Sequence, residues 1–158
     1  PRRWRPEPPT PTVQRQVQIP DTPAQLTLTH VGAPAALHAG IAKVTAMGQP
    51  QCSSIVDPGG HLLAFVRMDG AFHMSLETSL RKAKTAACYG APTGGMQDDV
   101  AIKLALGTDG QRINLPGGLP IVVDGHCIGG VGVGSGTGEQ DREVATVAIA
   151  AIPGSQTF

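Results

Sequence analysis

A chain of 158 residues has room for one packed domain and an appendage. Its formal net charge is zero and only 15% of its residues are charged, so it lacks the basic footprint of a nucleic-acid binder. Aromatic residues make up 3%, leaving few platforms for stacked bases, and no apolar run reaches membrane-spanning length. Cys52, Cys88 and Cys127 are isolated and odd in number, with neither a CxxC pair nor a zinc spacing. They read as free thiols in a reducing, cytoplasmic setting, and no metal site is expected. Pro1 in place of Met points to a trimmed or incomplete N-terminus.

Residues 1–25 form a zone of their own, beginning PRRWRPEPPTPTVQRQVQIPDTP. Repeated prolines remove helix donors, so an extended arm is expected here, either free or laid on a neighbouring subunit through Trp4, Val17 and Ile19. The globular domain is assigned to residues 26–158. Leu37, Ile41 and Val44 mark one face of a first helix that Gly48 ends. QCSSIVD and HLLAFVRM then read as antiparallel strands joined by the DPGG turn. Residues 74–89 form a helix with an apolar stripe of Leu76, Leu80, Ala83 and Ala87, and with Glu77 one turn before Arg81 on its outer side.

A shorter helix is expected over 98–106, followed by a second hairpin in which LPIVV and HCIGGVGVGSG flank Asp124-Gly125. Thr137 to Gln140 has the form of a capping box and opens a last helix that Pro153-Gly154 closes. Two hairpins between helices indicate an α+β fold, a single antiparallel sheet flanked by helices. The alternating glycines from Gly130 to Gly136 match neither GxGxxG nor a phosphate-binding loop. They bare one face of a strand, so that a helix, a ligand or a second subunit can approach its backbone.

No histidine sits in an HExxH pattern, and no serine lies in a GxSxG elbow. His61 and His73 border the same hairpin–helix region. Arg67 and Lys82 can form a carboxylate-binding patch, with Asp69 or Asp141 as a general base. The LPGGLP loop, through Gly117 and Gly118, can add bare backbone N–H groups to that patch. An Arg67–Asp69 ion pair closing the hairpin is the plainer alternative.

Three blocks in order carry a resemblance: DPGGHLLAFVRMDGA, SLRKAKTAACYGAPT and LPGGLPIVVDGHCIGGVGVGSGTGEQDREVA. Together they resemble the GlcG/HbpS-like family, which includes the C-terminal domain of PduO-type proteins. The similarity runs from Leu26 to Ile152. It implies a profilin-like arrangement of sheet and helices, a homo-oligomer, and a small-molecule ligand of which heme is the leading candidate, in an accessory or sensing role. The alternative is an isomerase or lyase acting by acid–base chemistry on a small carboxylate or carbonyl metabolite. If heme binds, His61 or His73 is the expected axial ligand, and the ligand-binding set is His61, Arg67, Lys82, Gly117 and Gly118. The resemblance also brings the Gly59-Gly60 and Gly117-Gly118 clusters to one cavity. Gly130, where the family commonly has alanine, Cys127 and the proline-rich arm are departures from the pattern.

Overall fold

The computed structural model describes residues 24–158; the proline-rich arm up to residue 23 lies outside them. Helix α1 (Gly32–Met47) is followed by strands β1 (Cys52–Val56) and β2 (Leu62–Arg67), then helices α2 (Ser75–Tyr89) and α3 (Asp98–Gly107). Strands β3 (Gly118–Val123) and β4 (His126–Gly134) and helix α4 (Gly138–Ala150) complete the order. The fold is α+β with a single antiparallel sheet, as the two hairpins imply. Strand order is β2-β1-β4-β3, so the two hairpins join along β1 and β4.

Local chemistry accounts for the boundaries. Gly48 and Gly90 take left-handed conformations after α1 and α2. Asp124 and Gly125 both have positive φ in the β3–β4 turn, as a two-residue hairpin turn requires. Thr137 Oγ1 accepts from the Gln140 amide while the Gln140 side chain accepts from the Thr137 amide, which closes the expected capping box.

The two faces of the sheet differ. On one, α1 and α4 pack against Ile55, Leu119, Ile121, Val131 and Val133, all fully buried. Each such side chain contributes roughly 1.5–3 kcal/mol by leaving water. On the other face α2 crosses β4, β1 and β3. Here the bared strand meets a helix rather than a ligand or another subunit. A β-carbon on Gly132 would collide with the Ser79 carbonyl and the Ala83 amide, and one on Gly130 would lie 2.5 Å from the Ala83 carbonyl oxygen.

This contact moves the buried stripe of α2. Ser75, Ser79, Lys82, Ala83, Ala86 and Ala87 face inward, while Leu76 is 39% exposed. Small residues win the inner positions because helix backbone rests directly on strand backbone. Buried Ser79 meets its hydrogen-bonding need through Ser54 Oγ at 2.9 Å.

Gly132→Ala should therefore destabilise the fold by about 3 kcal/mol or prevent folding, because the clash involves backbone rather than a mobile side chain. Gly107→Ala, where nothing lies within 4 Å, should leave the denaturant midpoint unchanged or raise it slightly. Urea melts of the two variants check this contrast.

Candidate functional site

Lys82 leaves the inner face of α2 and ends in the protein interior. Its Nζ donates to Asp141 Oδ2 at 2.7 Å and to the Val133 carbonyl at 2.7 Å. Asp141, in the first turn of α4, also accepts from Gln51 Nε2 at 3.0 Å and from the Gly136 amide at 2.9 Å. Both side chains are about 95% buried. Burial pushes the Asp141 carboxyl above the usual carboxylate range, against the downward pulls of the Lys82 ammonium and the Gly136 amide. A buried pair of this kind adds little net stability, but removing one partner strands the other charge.

Gly117 closes over this pair. With φ 105, it would place a β-carbon 2.5 Å from Asp141 Cβ and 3.3 Å from Lys82 Nζ. The Gly118 amide donates to Thr93 Oγ1 at 2.9 Å. The two glycines thus seat the start of β3 against α2 and α4, and Lys82 is spent on internal partners. Asp141, ringed by three donors, is equally occupied.

The other expected residues lie elsewhere. Arg67 is at the end of β2, an edge strand, and the Gly117-Gly118 pair is at the opposite edge, three strand spacings or about 14 Å away. No Arg67–Asp69 ion pair forms among the described residues, which include five other pairs. Gly60 lies beside Lys84 and Gly117 beside Lys82, on different flanks of α2, so the two glycine clusters do not border one cavity.

His61 holds Asp57 through Nδ1 at 3.0 Å, beside a small cavity of about 480 Å³ that Gln25 and Thr27 also line. His73 stands just before the N-terminus of α2. Since the His61 hairpin meets α2 near Lys84, the two histidines are separated by roughly 16 Å of helix.

A larger groove lies on the outer side of α2. Met74, Glu77, Thr78 and Arg81 form one helical stripe, and Asp98, Ala101, Ile102 and Ala105 of α3 form another facing it. Ile113, Asn114 and Leu115 complete a cavity of about 790 Å³, within the size range of small-molecule sites. None of the residues of α3 is buried, so that helix stands away from the body as one wall.

Arg81 is the charged group of this groove with unmet capacity. Its Nη1 donates to the Gly110 carbonyl at 3.0 Å and its Nη2 pairs with Glu77 at 3.1 Å, but Nε is buried with no partner. A buried N–H left unpaired is costly, while the Arg81 side chain as a whole is 31% exposed on the groove wall. Sequence spacing finds the Glu77–Arg81 pair and treats it as a solvated surface contact. The signal it misses is the apolar spacing of Ile102 and Ala105 one loop away, which makes a wall of α3.

The family model for haem-degrading HbpS-like proteins matches residues 28–150. The chain belongs to the HbpS-like family. Over 128 residues it is 41% identical to an uncharacterized 15.0 kDa protein from the dhaT-dhaS intergenic region of Citrobacter freundii, spanning 78% of this chain and 90% of that one. Among solved structures, Klebsiella pneumoniae ORFY superposes with a TM-score of 0.79 at 32% identity, covering 85% of this chain and 96% of the other. A PduOC:heme complex superposes with a TM-score of 0.76 at 30% identity, covering 84% and 99%. HbpS-like members of this fold thus include one whose structure holds heme.

Lys82→Met should cost about 3–5 kcal/mol in chemical denaturation, because Asp141 would keep a buried charge without its counter-ion. The double variant Lys82→Met with Asp141→Leu should be clearly more stable than the single one. Equal stability of wild type and Lys82→Met would show that the pair is not a fixed internal contact.

Proposed function

We propose that this protein binds a small acidic ligand, with heme the leading candidate, in the groove between α2 and α3. The observation that carries the reading is the partly exposed side chain of Arg81 on the wall of an otherwise largely apolar cavity. A planar ligand with a carboxylate suits that combination, since apolar walls take the ring and a guanidinium takes the acid. The heme in the PduOC neighbour and the family's link to haem support the same ligand class.

For heme, Met74 lines the groove with a thioether and exposed His73 precedes it in the chain, two side-chain types that ligate heme iron. Arg81 would hold a propionate. Bound heme would supply an iron centre, while the chain's own residues orient the ring and shield one face from water. His61, at the far end of α2, belongs to the other cavity. The acid–base alternative finds no comparable support, because Asp141 is committed to three donors and has no open side toward a substrate. Self-association remains part of the proposal, and Val100 and Leu106, exposed outside the groove lining, are its support now that α2 covers the glycine face.

Titration with hemin should give a Soret band that shifts or weakens in His73→Ala or Met74→Leu and persists in His61→Ala. Arg81→Met should weaken binding by about 1.5–3 kcal/mol with the fold intact by circular dichroism. A band lost only in His61→Ala would move the ligand to the hairpin cavity, and no band in wild type would remove heme from the account. Light scattering over a concentration series should show more than one chain per particle; a monomer throughout would exclude self-association.

A further inference from the structure

The two walls of the groove are held in different ways. Helix α2 is packed into the sheet, whereas every hydrogen bond of α3 among the described residues stays within 97–110. None of the residues of α3 is buried, and no other helix or strand packs closely on it. A helix of ten residues is marginal in water by itself, so the place of α3 is set at its two ends. Before it, Asn114 Oδ1 accepts from the Gly94 amide at 2.7 Å and the Met96 amide at 3.4 Å, and Asn114 Nδ2 donates to the Met96 carbonyl at 3.2 Å. After it, the Gly110 carbonyl accepts from Arg81 of α2 at 3.0 Å. Residues 110–114 run back between these two ends, and the Ile113 amide ties them to Thr85 Oγ1 of α2 at 2.9 Å. That segment spans at most about 14 Å, close to the roughly 15 Å length of α3.

We propose that α3 is a hinged wall, which swings on residues 110–114 to widen and narrow the groove, with Asn114 as the residue that positions it. Ile113, Asn114 and Leu115 line the groove between the two helices. Rotation about that line moves Ala101, Ile102 and Ala105 toward or away from α2 and leaves the core untouched. Given the groove as the binding site, a planar acid enters through the opened form and is then held between the apolar side chains of α3 and the stripe of α2.

The flanking residues divide into fixed and free. Gly94 is fixed, since a β-carbon there would lie 2.9 Å from the Pro116 ring. Gly107 is free, with nothing within 4 Å of an added β-carbon. Only Gln97 separates Met96, held by Asn114, from the first helical residue. At the other end Thr108 Oγ1 donates to the Leu104 carbonyl at 2.7 Å and accepts from the Arg112 amide at 3.1 Å, so the helix stays attached as it turns. No hydrogen bond joins α3 to α2 among the described residues, and opening costs only loose apolar contact across the groove. A ligand touching both walls binds the narrowed form better and shifts the population toward it.

The test is hydrogen–deuterium exchange of the full chain, read by mass spectrometry over a concentration series, because a second copy resting on Val100 and Leu106 would hold the wall. Without ligand, α3 peptides in the most dilute sample should exchange at least about 100-fold faster than those of α2. Asn114→Ala should speed α3 about tenfold further while α2 exchange and the denaturant midpoint stay unchanged. Asn114→Asp, which keeps the acceptor for the Gly94 and Met96 amides, should fall between the two. Hemin should slow exchange of α3 and leave α2 as it was. Exchange of α3 as slow as that of α2 in the most dilute sample would overturn the hinged wall. So would a Soret band with α3 exchange unchanged, or an Asn114→Ala effect spread equally over both helices. An absent Soret band would remove heme from the groove, while fast, Asn114-dependent exchange of α3 would still support the hinge.

Discussion

Helix α2 lies on strand β4 with no side chains between them at Gly130 and Gly132, and this close approach fixes what its neighbours can be. A helix that near a strand admits only small residues where the two backbones touch, so Ser75, Ser79, Ala83 and Ala87 meet the glycines and Lys82 leaves from beside them. The apolar weight of the domain therefore moves to the opposite side of the sheet, where α1 and α4 cover branched aliphatic residues. The outer side of α2 is left free to line a groove. One backbone contact thus sorts the molecule into a packed face and a grooved face.

The Lys82–Asp141 pair locks this arrangement rather than supplying its energy. Two desolvated charges need a particular geometry, and the geometry here ties α2, α4, the end of β4 and Gln51 together. A sliding of α2 along the glycine track would separate the charges inside the protein. The glycines permit close contact along the strand, and the ion pair selects one register of it, a use of buried charge as a specificity device.

Much of the fold is legible in the sequence because its signals are local. Gly48, the Asp124-Gly125 turn and the Thr137–Gln140 box each act through a few neighbouring residues, and each sits where its chemistry places it. The site is less legible because it depends on distance in space. Lys82 reads as a surface cation until α4 brings Asp141 to it. Arg67 and Gly117 look compatible until the strand order sets them on opposite edges. Arg81 shows the converse: its ion pair with Glu77 can be read from spacing, whereas its unpaired Nε depends on how α2 packs.

The span of the buried polar cluster bears on how the chain is made. Gln51 and Asp141 are 90 positions apart, and Lys82 and Asp141 are 59 apart. As the polypeptide leaves the ribosome, α2 and the first hairpin are complete well before Asp141 is added. Until then Lys82 has no counter-ion, and burying it would cost several kcal/mol. The glycine strand that receives α2 also comes late, so the early segments have neither a surface to dock on nor a partner for their charge. Commitment to the native state waits for the final helix, and contacts of such long sequence separation make that step slow relative to the local turns. Incomplete chains are thereby held back from closing into a compact but wrong register.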